Sequence, residues 1–170
     1  GYEFFPVNAK YVKPLVGDHL VVGMTGKFHL SWGEFGGFKT PTAMRYEVAR
    51  ILAHSCVPSI GDQLHPSGAI EPDTYRLIGS AYREVEELEP WIEGAVPVAD
   101  VAVISPTVVE AVGTSPGPAV PAAVPPRAAE LARASEYGAS LALSEMHIPH
   151  LIVDPWADLS PYRLVVLPDS

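Results

Sequence analysis

Apolar positions recur at two spacings along the chain, and their alternation predicts the elements. Asn8 to Val16 carries the pattern of the end of a helix. Leu20 to Met24 is a short apolar run bounded by Gly17-Asp18 and Gly26, which predicts a buried strand. A loop rich in glycine and aromatic residues follows, from Thr25 to Phe38. Thr40-Pro41 then supplies a cap and a proline at the first helical position. Met44, Val48, Ile51 and Leu52 fall on one face of that helix, which is expected to end near His54 or Ser55. Cys56 to Ile60 predicts a second short strand, weakened by Pro58, and Gly61 to Glu71 a polar loop. Pro72-Asp73 opens a second helix with Glu71 as its cap. Leu77, Ile78, Ala81, Val85 and Leu88 line its inner face, the acidic run Glu84, Glu86, Glu87 and Glu89 its solvated face, and Pro90 is expected to stop it.

Strand, long loop and helix thus occur twice between residues 20 and 90. That order implies α/β architecture with a parallel sheet or barrel. In such folds the loops after the strands carry the chemistry, and here those are the long ones.

The second half opens with a strand over Val98 to Ser105. Pro106 to Pro126 is low in complexity and holds six of the 18 prolines, so it is expected to be an extended loop without a helix. Arg127 to Met146 predicts a helix whose inner face is mostly small: Ala128, Leu131, Ala132, Ala139, Ala142 and Met146. His150 to Asp154 and Arg163 to Leu167 predict two more strands. This is the beginning of an open doubly wound sheet, too short to complete one. The chain starts mid-pattern at Gly1 and stops at Ser170 just after a strand, so it is expected to be a section of a longer protein. The expected units are residues 1–94 and 95–170.

Composition narrows the function. Across 170 residues, 48% are hydrophobic, enough to bury a core and exclude wholesale disorder. Eleven Lys and Arg against 20 Asp and Glu leave a net charge of −9, and no basic stripe appears, which argues against a nucleic-acid partner. A single cysteine, Cys56, excludes an intramolecular disulfide framework and is expected to be a small core residue. The apolar runs are too short for a membrane helix, so no membrane partner is expected. No phosphate-binding glycine fingerprint and no nucleophile elbow is present. His147 and His150 flank Pro149 without a third ligand beyond Glu145, and no metal or other cofactor is expected.

Two clusters could carry chemistry. Lys27 to Phe38 packs an amine, His29, Trp32, Glu34 and two phenylalanines besides Phe28 into a dozen residues after a strand. Sugar-processing sites need carboxylates as acid, base or nucleophile and aromatic faces for pyranose stacking, and Trp32 and Glu34 offer both. The same residues also suit a plainer role, with Trp32 and Phe35 plugging a barrel mouth and Glu34 solvated. Asp62, Gln63 and His65 present polar tips at the end of the next strand, suited to sugar hydroxyls. Asp62 can serve as a catalytic carboxylate or simply start a turn.

The segments VVGMTGKFHLSWGEFGGFKTP and SIGDQLHPSGAIEPDTYRLIGSAYREVEELEPWIEGA resemble the end of the catalytic barrel in a group of bacterial glycoside hydrolases. That group joins a barrel related to α-L-fucosidases to a β-galactosidase-type trimerisation domain. Gly68-Ala69-Ile70-Glu71-Pro72 and Trp91 to Gly94 carry the fucosidase likeness, while Gly138-Ala139-Ser140 to His147, LIVD and LVVLPD resemble the trimerisation domain. The resemblance implies the last strand–helix units of a (β/α)8 barrel over 1–94, then the start of a flavodoxin-like or amidotransferase-like α/β domain over 95–170, with 106–126 as a Pro/Ala-rich loop. It implies hydrolysis of a terminal fucoside or galactoside by paired carboxylates; on the residues themselves Glu34 is the leading candidate carboxylate and Asp62 the second, in a site lined by His29, Trp32, Gln63 and His65. It further implies a carbohydrate substrate, a homo-oligomeric parent with a trimer as the candidate state, a cytoplasmic location, and no activity for the section alone. The competing expectation is a non-catalytic sugar-binding or oligomerisation module. An amidotransferase activity in the second half fits poorly, because its cysteine nucleophile would have to be Cys56 in the first.

Overall fold

The computed structural model of the chain describes residues 4–34, 36–112 and 126–169. Helix α1 (Phe4–Val16) leads into strand β1 (Val22–Gly26), helix α2 (Pro41–Leu52), strand β2 (Val57–Gly61) and helix α3 (Pro72–Ile92). Strand β3 (Val101–Ile104), helices α4 (Pro106–Val112) and α5 (Pro126–Glu145), and strands β4 (His150–Val153) and β5 (Leu164–Val166) complete the order. The fold is mixed α/β with two parallel sheets. β1 pairs β2, with Val22 opposite Val57 and Gly26 opposite Gly61. The second sheet has the order β4-β3-β5, and its central strand β3 is buried throughout.

Helix starts follow the local chemistry. Thr40 stays extended, its hydroxyl accepts the Ala43 N–H at 3.2 Å, and Pro41 occupies the first turn. Glu71 caps α3 in the same way through the Asp73 N–H. α2 and α3 then cover one face of the β1–β2 pair, burying Met44, Val48, Leu77, Ala81 and Val85 together. Each of these side chains except Ala81 contributes about 1.5–3 kcal/mol by leaving water. The Tyr82 hydroxyl donates to the Pro58 carbonyl at 2.9 Å and ties α3 to β2.

Residues 22, 24 and 57 face the other side of this pair. Val22, Met24 and Val57 are 56%, 64% and 43% exposed. Parallel sheets are ordinarily covered on both faces, so these positions stand out. α1 lies between the two sheets. Its Val7 joins Val101, Val103, Leu143 and Ile152, while Ala9 joins Ile51 and Cys56. Gly23 permits this approach, because a Cβ there would lie 2.7–2.8 Å from Ile51 and Phe5 side-chain atoms.

Three expectations are corrected. Helix α3 runs through Pro90 to Ile92. The proline sits in the exposed last turns, where water can take the carbonyl its ring releases, and the Glu93 N–H still reaches the Glu89 carbonyl at 3.0 Å. The segment expected to be loop from Pro106 begins as helix α4. Pro106 fits a first turn, and the Ser105 hydroxyl accepts the Val108 N–H at 3.2 Å. Residues 113–125 of that stretch lie outside the described residues. The inner face of α5 is Ala132, Glu136, Ser140 and Leu143, whereas Leu131, Ala142 and Met146 are exposed. Two polar residues are drawn inward because each meets a polar partner. Ser105 donates to Glu136, and Ser140 bonds His150 Nε2 at 2.8 Å. Among the described residues, no helix is long and apolar enough to cross a membrane.

Candidate active site

The site residues sit on the loops after β1 and β2, which the parallel pairing places side by side. Lys27 follows β1 directly, and its N–H donates to the Gly61 carbonyl at 3.0 Å. Asp62 follows β2. Their side chains meet, with Lys27 Nζ 4.0 Å from Asp62 Oδ1, and only 6% and 13% of the two side chains is exposed. Lys27 is also held between aromatic faces, 4.8 Å from the Phe38 centroid and 5.7 Å from that of Phe28. The ring quadrupoles offset part of what a cation so enclosed loses in hydration. Its carbonyl accepts the Lys39 N–H at 2.7 Å, which draws the far end of the loop back to its start.

Phe28 is buried, and the Trp32 ring packs on it with centroids 5.4 Å apart. Trp32 also lies against Gly61, where a Cβ would be 2.9 Å from its Cη2. It remains 67% exposed, so an anchored indole presents a broad open face above the strand ends. Residues 31–34 form a turn, with Gly33 at φ 91° and the Glu34 N–H reaching the Ser31 carbonyl at 3.3 Å. A positive φ of this size favours glycine. The turn returns the Glu34 carboxylate onto its own loop, where Oε2 accepts the Leu30 N–H at 2.6 Å. The carboxyl fills the space beside Gly37 that a Cβ would occupy.

Asp62 Oδ1 also accepts the Gln63 N–H at 2.7 Å. The Gln63 amide lies near Gly33, and its carbonyl oxygen is buried without a hydrogen-bond partner among the described residues. An unmet acceptor at this place suits a donor hydroxyl. His65 is exposed and turned away into its own loop, where Nδ1 bonds the Ser67 hydroxyl at 2.7 Å. His29 is exposed beside the Trp32 turn. Phe35 lies outside the described residues.

The structure therefore gathers Trp32, Asp62 and Gln63 at the two strand ends and leaves His65 in a separate turn. Sequence reasoning noticed Lys27 but gave it no role, because nothing in the chain order shows that residues 27 and 62 adjoin. It also missed a polar strut below the site. Lys39 donates to Thr25 Oγ1 at 2.6 Å and pairs with Glu47, to which Thr25 also donates. The strut fastens β1 and the loop's end to α2. Elsewhere, Cys56 is buried with its thiol pushed up by burial, and His150 has both ring nitrogens engaged, by Ser140 and by the Ile148 carbonyl.

No protein-family model matches the chain, and no curated protein matches it. Among solved structures, it is similar to alpha-L-fucosidase isoenzyme 2 from Paenibacillus thiaminolyticus, at 44% identity and a TM-score of 0.80. The match covers 100% of this chain and 24% of that one, so the chain spans about a quarter of that enzyme's length. The likeness includes both sheets, and the strand-end loops with them.

Proposed function

We propose that the chain is part of a glycoside hydrolase that cleaves a terminal α-L-fucosidic bond. The observation that carries this reading is the likeness over the full chain, at 44% identity, to an alpha-L-fucosidase. In this reading β1 with α2 and β2 with α3 are the last units of a (β/α)8 barrel. The exposed Val22, Met24 and Val57 support it, since they occupy positions that would face a barrel interior lined by the remaining strands. The β4-β3-β5 unit is then the start of a flavodoxin-like domain serving oligomer assembly, as a trimer in the parent protein.

Asp62 is the leading carboxylate. It is mostly buried, adjoins a cation, and stands at a strand end, where barrel enzymes place their chemistry. Lys27 positions it. Trp32 offers a stacking face to the sugar and Gln63 an acceptor for a hydroxyl. His29 lines the outer rim, while His65, held in its own turn by Ser67, takes no part. Glu34 is the second carboxylate of the proposal. Its bond to the Leu30 N–H favours a share in holding the loop as well, so Asp62 ranks above it.

The test uses the full-length protein with aryl α-L-fucoside and aryl β-galactoside. Turnover of the fucoside at least about 100-fold above the galactoside is expected, since a site built to bond particular hydroxyls discriminates strongly. Galactoside turnover without fucoside turnover would assign the other sugar, and turnover of neither would favour a non-catalytic module.

A further inference from the structure

A second cavity lies away from the strand-end loops, where α1, the end of α2, α5 and β4 converge. Its volume is about 570 Å³, within the usual range for a small-molecule pocket. Among the described residues, its polar lining is Lys10, Arg50, His54, Ser144, His147 and His150, with no Asp or Glu. In a chain with a net charge of −9, a pocket with only basic ionisable groups is a departure from the average surface.

Among the described residues, neither Lys10 nor Arg50 has a carboxylate oxygen within 4.0 Å. Lys10 Nζ donates to Ser144 Oγ at 2.9 Å. Arg50 donates through Nη1 to the Tyr46 hydroxyl at 3.0 Å, but its Nε is buried with no partner among the described residues. The His54 Nδ1 bonds the Arg50 carbonyl at 2.7 Å, which commits that nitrogen as the donor, so Nε2 donates to an anion only when the ring takes up a proton on binding. Burial, and next the Arg50 charge, hold the Lys10 ammonium down to about 8. Desolvated like charges with spare donors are costly unless an anion joins them.

We propose that this cavity binds the oxyanion group of a small molecule, a phosphate or sulfate, through Lys10, Arg50 and His54. The volume exceeds that of the bare ion, so the ligand class is a phosphate or sulfate ester whose body lies against Val98, Ile148 and Leu151. The site is separate from the strand-end loops and stands whether or not the protein is a fucosidase.

Isothermal titration of the full-length protein with inorganic phosphate, at pH 6.5 and low ionic strength, tests it. Saturable one-to-one binding is expected, weakened about tenfold or more in Lys10→Met, the worth of one charge-assisted hydrogen bond. His54→Gln provides a second variant should Lys10→Met fail to fold by circular dichroism. No saturable binding to the wild-type protein overturns the proposal, as does wild-type affinity in the folded variants. Glutarate is titrated in parallel. Binding of glutarate but not phosphate, with the same loss in the variants, would make the site one for carboxylates and overturn the assignment.

Discussion

Lys27 and Asp62 adjoin because two parallel strands end at the same height, and the pair is largely dry. Removing the cation leaves a carboxylate in a pocket without the partner it faces. Lys27→Met is therefore expected to lower stability by about 1–3 kcal/mol in urea unfolding and to reduce turnover of the proposed substrate. Gly61 carries a separate demand. A side chain there meets the Trp32 ring, so Gly61→Val is expected to displace the indole. Its signature is altered Trp fluorescence and a raised KM on an otherwise folded protein. Ionisable groups near α1 set a pH dependence of stability. Lys10 is held at about 8 in the folded protein, below its ordinary 10.5, so the unfolded chain binds more protons between those values and stability rises with pH there. Tyr11 opposes this above about pH 10, because burial and then the bond to Asp154 push its phenol up. His54 and His150 are lowered from 6.5, mainly by burial, so stability falls as the pH drops below that value. Calorimetry in an anion-poor buffer is expected to show the acid loss and a rise from pH 8 towards 10, and Lys10→Met is expected to abolish the rise.

At the scale of elements, much of the fold could be read from local chemistry. Thr40-Pro41 and Glu71-Pro72 start helices because cap and first-turn proline act within a few residues. The inner face of α5 could not be read this way. Glu136 and Ser140 count as outward positions in any periodicity, and only folding supplies Ser105 and His150, 31 and 10 residues away, as their partners. Ser140→Ala should therefore cost about 1–3 kcal/mol by leaving His150 Nε2 unpaired, as measured by the urea midpoint. Helix α4 was hidden by the prolines that follow it. The site divides in the same way. Trp32 and Asp62 were legible as residue types at predicted strand ends, whereas the enclosure of Lys27 between Phe28 and Phe38 depends on how the loop folds back.

At the scale of the molecule, α1 joins two sheets into one packed arrangement, while the β1–β2 pair keeps an open apolar face. An open face and a site confined to two loops are both explained if further strands complete a barrel, as proposed. The loops here would then supply one sector of a fucoside site. That claim is tested most directly by steady-state kinetics of full-length Asp62→Asn on an aryl α-L-fucoside, with circular dichroism as the folding control. A fall in kcat/KM of about 10²–10⁴-fold in a folded protein is the expected result for a carboxylate taking part in the chemistry. Wild-type kinetics in that variant would contradict it.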